Sequence, residues 1–195
     1  MDLPLSVLSQ IANTLKQLGI RYVLVGSFAS SIHGMYRATA DIDIVAEIKS
    51  EQVRPLFEAL RADFYIDEQT IRVAVIQQRS FNIIHFDSVF KIDFFIPKSD
   101  DFAVAELDRR QLRRISPNSE DVIYVATAED TVLAKLRWYR AGQETSTNQW
   151  NDVVGILAIS QETLDLAYLY SWSEKLGIQD LFKKALEDVK QDPAT

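Results

Sequence analysis

The 195-residue sequence contains no cysteine. It therefore has no disulfide framework, no thiolate metal site and no thiol nucleophile. Histidine is almost as scarce, with His33 and His85 the two present. Neither has a Glu or a second His at ligand spacing, which argues against a zinc site and leaves both as core imidazoles. No apolar run approaches membrane-spanning length, and the opening MDLPLSVLSQ lacks the basic region of a signal peptide. The expected compartment is the cytoplasm. Basic charge is also in deficit, since 21 Lys and Arg face 28 Asp and Glu, for a formal net charge of −7. A general nucleic-acid coat protein needs unpaired basic groups, so that class is disfavoured. A local basic patch does exist at Arg109, Arg110, Arg113 and Arg114, but without an aromatic stacking motif. What remains, 47% hydrophobic and 25% charged residues, is ordinary for a globular domain long enough to bury a proper core.

The most informative stretch is Tyr22 to Val45, YVLVGSFASSIHGMYRATADIDIV. Tyr22-Val23-Leu24-Val25 is a short apolar run rich in strand-favouring residues, and Gly26-Ser27 breaks it. A helix is expected from Phe28 to Met35, with Ser27 at its N-cap. Backbone N–H groups at such a start attract anions, phosphates especially. The stretch closes on Asp41-Ile42-Asp43-Ile44-Val45. Read as a strand, it places Asp41 and Asp43 on one face and Ile42 and Ile44 on the other. Two carboxylates side by side repel unless a proton or a cation sits between them. A phosphate cradle followed by paired acids points to a nucleoside triphosphate handled with a divalent metal.

Around this stretch, apolar spacing predicts a helix over residues 4–18 stopped by Gly19, and a second from Ser50 to about Ala62. Phe64 to Ile66 is a short strand, while Thr70 to Gln78 fits helix or strand. Two apolar strands, NIIHF and VFKIDFFI, flank a turn at Asp87-Ser88. In the second, Asp93 lies opposite Ile92 and Phe94, sharing its face with Lys91 and Phe95. An exposed edge strand is the plainer account of such a carboxylate. Strands are expected at Leu112–Ile115 and Val122–Val125, around the turn 116–119. From Thr127 onward the pattern is helical, with Thr127 and Asp130 outlining a capping box. On the helix Ala128 to Ala141, Lys135 sits at the edge of an apolar stripe, and on the helix near Asn148 to Ile159, Asp152 shares a face with Ile156 and Ile159. Position alone makes the first a snorkelling lysine and the second a helix-start aspartate. Two further helices, broken at Gly177, complete the chain to Lys190.

Gly26-Ser27, a helix, then Asp41-x-Asp43 resembles the signature of the DNA-polymerase-β-like nucleotidyltransferases. His33-Gly34 and Arg37-Ala38-Thr39 resemble the small bacterial branch that includes abortive-infection-type toxins. The resemblance implies an α/β (α+β) fold, with a mixed-sheet nucleotidyltransferase core over 1–126, helices on one side, and a helical part over 127–195 closing the cleft. It implies transfer of a nucleoside monophosphate from a triphosphate, with two Mg²⁺ ions, or Mn²⁺, held by Asp41, Asp43 and Asp93. Asp87 is the rival for the third position. Gly26 and Ser27 are implied to bind phosphate, and AEDTVLAKLRWYR and QWNDVVGIL resemble segments that return a lysine and an aspartate, here Lys135 and Asp152, to the catalytic pocket. Arg37 is placed to neutralise phosphate or to pair with Glu47 or a core acid. The acceptor stays open among tRNA, protein and a small molecule such as an antibiotic. So does a homodimer or an antitoxin-like partner. The alternatives are a non-catalytic nucleotide- or partner-binding member of the fold, such as a toxin–antitoxin component, and an RNA-binding module at Arg109–Arg114.

Overall fold

The computed structural model describes residues 3–34, 41–98, 100–115 and 120–191. Its strands are β1 (Arg21–Val25), β2 (Asp41–Glu47), β3 (Phe64–Tyr65), β4 (Ser80–His85), β5 (Lys91–Phe95), β6 (Gln111–Arg114) and β7 (Val122–Val125). Its helices are α1 (Leu3–Gln17), α2 (Gly26–His33), α3 (Val53–Leu60), α4 (Glu68–Gln77), α5 (Asp101–Arg109), α6 (Ala128–Ala141), α7 (Thr147–Ile159), α8 (Leu166–Lys175) and α9 (Gln179–Gln191). They divide into two compact units, one of residues 1–25 with 39–126 and one of residues 26–38 with 127–195. Among the described residues no helix is long and apolar enough to cross a membrane.

The first unit holds a seven-stranded mixed sheet in the order β3-β4-β5-β2-β1-β7-β6. Strand β2 runs antiparallel to β1 and parallel to β5, and β1 runs parallel to β7. Period-two patterning explains which face is packed: Ile42, Ile44 and Ala46 of β2 and Ile92 and Phe94 of β5 have no exposed surface. Phe81 of β4 stacks on Phe94 with ring centroids 4.9 Å apart. Helix α1 buries Val7, Leu8, Ile11 and Leu15 and packs on β1, β7 and α3. Burying each such side chain contributes about 1.5–3 kcal/mol. Gly19, at φ +64°, ends α1 in a Schellman motif, its N–H bonding Lys16 O while Ile20 N–H bonds Leu15 O.

Several expected boundaries shift for local reasons. Ser50 opens a 3₁₀ turn, Ser50–Gln52, that precedes α3, and the Gln52 side chain accepts the Lys49 N–H at 2.9 Å. The ambiguous 70–78 segment is the helix α4, because Asp67 caps it by accepting from both the N–H and the hydroxyl of Thr70 at 2.7 Å. Helix α5 has no counterpart in the sequence reading; Asp100 caps it by accepting from Ala103 N–H at 2.8 Å. Strand β5 lies between β4 and β2, so the edge-strand account of Asp93 is overturned. The edges are β3 and β6, and every residue of β6 is exposed. The expected turn at 116–119 lies outside the described residues.

The second unit packs α6 against α7, α2 and α8, and α9 against α7 and α8. Its core comprises Val132, Leu133 and Leu136 of α6, Val153, Ile156 and Leu157 of α7, Leu169 of α8, and Leu181 and Phe182 of α9. Gly34, just past α2, lies so close to α7 that a Cβ would stand 3.1 Å from Ile156 Cγ1 and 3.2 Å from its backbone N. The Ser160 hydroxyl donates to His33 O at 3.1 Å, tying the same ends together.

Candidate active site

In the first unit, strand register places the acids. Asp41 and Asp43 lie two residues apart on the face of β2 opposite its buried isoleucines, a separation of about 7 Å along a strand. Strand β5 is parallel to β2, with Asp43 opposite Asp93 and Asp41 opposite Lys91. Directly opposed residues on neighbouring strands are about 4.8 Å apart and share a face. Asn82 of β4 extends the row, being opposite Asp93, and Val25 of β1 closes it opposite Asp43. One face of the sheet thus carries Asp41, Asp43 and Asp93 together. Asp87 sits instead in the turn between β4 and β5.

Lys91 occupies this acidic face. Its Nζ lies 2.7 Å from Asp93 Oδ2 and 3.7 Å from Asp41 Oδ1. The hydrogen bond to Asp93 raises the Lys91 ammonium above its ordinary 10.5, the charges of Asp93, Asp41 and Asp43 adding to it and partial desolvation opposing. Alternation puts Lys91 on the face of Asp93 in the sequence itself, yet assigns it no task. The β2–β5 register that makes it the partner of Asp41 was the missing signal. Among the described residues, no group of three or more His, Asp or Glu stands ready to hold a metal ion. The donor chemistry nonetheless fits one, because carboxylate oxygens suit Mg²⁺ and Mn²⁺. What stands among them is an ammonium.

In the second unit, α2 begins at Gly26, whose φ of +67° suits a residue without Cβ. Ser27 is therefore inside the first turn, not at the expected N-cap; the helix runs to His33, and Met35 lies outside the described residues. The Ser30 hydroxyl donates to Gly26 O at 2.9 Å and that of Ser31 to Ser27 O at 3.0 Å, so two serines of this polar run satisfy their own helix.

Lys135 does not snorkel. Its Nζ lies 2.8 Å from Asp152 Oδ2, and each side chain is only 9% exposed. Asp152 is likewise no helix-start residue, since α7 begins at Thr147. Nearby in sequence, Thr127 caps α6 by accepting Asp130 N–H at 3.1 Å. The capping box is altered: the Asp130 carboxylate receives the Thr127 hydroxyl at 2.7 Å and the Tyr168 hydroxyl at 2.6 Å, with Asp130 fully buried. Arg37 lies outside the described residues. The basic patch is divided, with Arg109 ending α5, Arg113 and Arg114 on β6, and the Arg110 guanidinium 4.5 Å from the centre of the Tyr124 ring. His85 Nδ1 lies 2.9 Å from the Ser88 hydroxyl in the β4–β5 turn, a structural contact.

Solved structures of similar fold include an antigenic nucleotidyltransferase-like protein from Paracoccidioides brasiliensis, at 14% identity and a TM-score of 0.55, covering 94% of this chain and 91% of that one. The antibiotic-resistance factor ANT(2'')-Ia is similar at 10% identity and a TM-score of 0.50, covering 98% and 97%. The lincosamide antibiotic adenylyltransferase LnuA, lincomycin-bound, is found at 13% identity and a TM-score of 0.47, covering 76% and 93%. The first two likenesses bear on the fold alone. No curated protein matches the chain in sequence. Residues 5–122, well over half of the chain, match the family described as "Nucleotidyltransferase of unknown function (DUF6036)", and the chain belongs to that nucleotidyltransferase family.

Proposed function

We propose that the chain is a metal-dependent enzyme that moves a nucleoside monophosphate from a nucleoside triphosphate to an acceptor hydroxyl. The observation that carries this reading is the register of Asp43 against Asp93, with Asp41 on the same face, in a chain of a nucleotidyltransferase family. Asp41, Asp43 and Asp93 are assigned to hold Mg²⁺ or Mn²⁺. A divalent ion there would supply charge neutralisation at the triphosphate and acidify the acceptor hydroxyl. Gly26 allows close backbone approach to a phosphate, and Ser27 adds a hydroxyl and an amide. Lys135, oriented by Asp152, is assigned to phosphate as a point charge, and Arg37 to the same anion. The acceptor hydroxyl gives up its proton to solvent, its oxygen forms a bond to the α-phosphorus, the bond from that phosphorus to the bridging oxygen breaks, and pyrophosphate leaves. Such transfer is positioning and charge neutralisation, so a covalent nucleophile is not required.

A second reading is favoured by one observation. The ion pair of Lys91 with Asp93 already neutralises part of the acidic face, as suits a non-catalytic member that binds nucleotide or a partner protein, for instance in a toxin–antitoxin pair. The two readings separate when each triphosphate, labelled at its α-phosphate, is incubated with the protein, Mg²⁺ and a cell extract. The enzyme leaves label on RNA, protein or a small molecule. Label that remains entirely on free nucleotide, whichever triphosphate is used, favours the second reading.

A further inference from the structure

We propose that Lys91 is a built-in competitor for the divalent ion, a resident cation that must leave the acidic face before metal can load. This deepens the proposed reading and rests on its assignment of Asp41, Asp43 and Asp93 as metal ligands. The ammonium lies 2.7 Å from Asp93 and 3.7 Å from Asp41, so it engages two of the three carboxylates. A divalent ion and an ammonium sharing the same carboxylates repel each other, and the repulsion is steepest where they approach most closely. Lys91 is the first residue of β5 and its side chain is 40% exposed, so its stem has room to swing into water. The paired strands hold the acids in place while the cation leaves. Without metal, Lys91 offsets part of the repulsion among the carboxylates. With metal, it is displaced, so the metal requirement of the protein depends on Lys91 as well as on the ligands.

The test is calorimetric titration of Mn²⁺ into wild type, Lys91→Met, Lys91→Gln, Asp93→Asn and the charge control Lys98→Met, at one salt concentration. Melting curves confirm that each variant is folded. Both Lys91 variants are expected to bind Mn²⁺ about tenfold more tightly than wild type, since a competing charge has gone, while Lys98→Met changes affinity about twofold or less. In wild type, acetylation of the Lys91 amine should accelerate on Mn²⁺ addition, as its ion pairs open. If wild type binds Mn²⁺, Asp93→Asn abolishes that binding, and the Lys91 variants bind no more tightly than Lys98→Met, the competitor role is overturned and the metal reading survives. If no variant shows saturable binding, or Asp93→Asn binds as wild type does, the ligand assignment itself fails.

Discussion

At the scale of single residues, the buried Lys135–Asp152 pair changes what a substitution there should do. As a snorkelling lysine, Lys135 could be truncated with little loss of packing. As one half of an ion pair whose side chains are each 9% exposed, it cannot, because its removal takes a counter-charge from a buried carboxylate. Lys135→Met should destabilise the fold by about 3–5 kcal/mol, and the double variant with Asp152→Leu should recover most of that loss. Denaturant unfolding checks both. A single variant as stable as wild type would mean that the ion pair adds nothing to the stability of the fold. Tyr22 offers a second case, 3% exposed and with its phenol pushed up from 10.0 to about 12 by burial, against an opposing hydrogen bond with the Tyr124 backbone. A folded-state value above the unfolded one means stability is intact below pH 10 and lost as pH rises from there to about 12. The loss should amount to roughly 1–3 kcal/mol, and Tyr22→Phe should flatten it. Urea midpoints measured from pH 9 to 12 decide, and an equally steep fall in the variant would assign the alkaline transition to other groups.

At the scale of elements, strands were the most legible part. Period-two alternation in DIDIV and KIDFF declared which residues face the packed side, and the structure agrees for Ile42, Ile44, Ile92 and Phe94. The same alternation put Asp93 and Lys91 on one face. It could not reveal that β5 lies parallel to β2, because register is a property of two strands and neither sequence contains it. Helix α5 is not legible in the sequence because its buried residues, Phe102, Glu106 and Leu107, include an acid and so break the apolar stripe. The snorkelling account of Lys135 fails for a related reason, since its partner Asp152 lies on another helix. The cap of α6 was visible, but its wiring was not. Thr127 accepts from Asp130 N–H and donates to the Asp130 carboxylate, so one hydroxyl serves both. Thr127→Ala should therefore cost about 2 kcal/mol or more, above a typical cap loss of about 1, because the buried Asp130 carboxylate also loses one hydrogen-bond donor. Thermal unfolding of Thr127→Ala beside Thr127→Ser, which keeps the hydroxyl, measures the difference. Equal losses in the two variants would mean that the hydroxyl contributes nothing.

At the scale of the whole molecule, a nucleotidyltransferase-family chain arranges three carboxylates on one face of a mixed sheet, and the proposed transfer depends on them. Asp43 is the most direct point to test, because it stands in register with Asp93 and two residues from Asp41. Asn keeps its shape and removes its charge. The measurement is the initial rate at which α-phosphate label moves from triphosphate to acceptor, with pyrophosphate release followed in parallel, for wild type and Asp43→Asn in the same extract. Both proteins should melt within a few degrees of each other. Wild type should transfer label with matching pyrophosphate release, and Asp43→Asn should lose about 10²–10³-fold or more of that rate. Transfer by Asp43→Asn at the wild-type rate would contradict the dependence on these carboxylates.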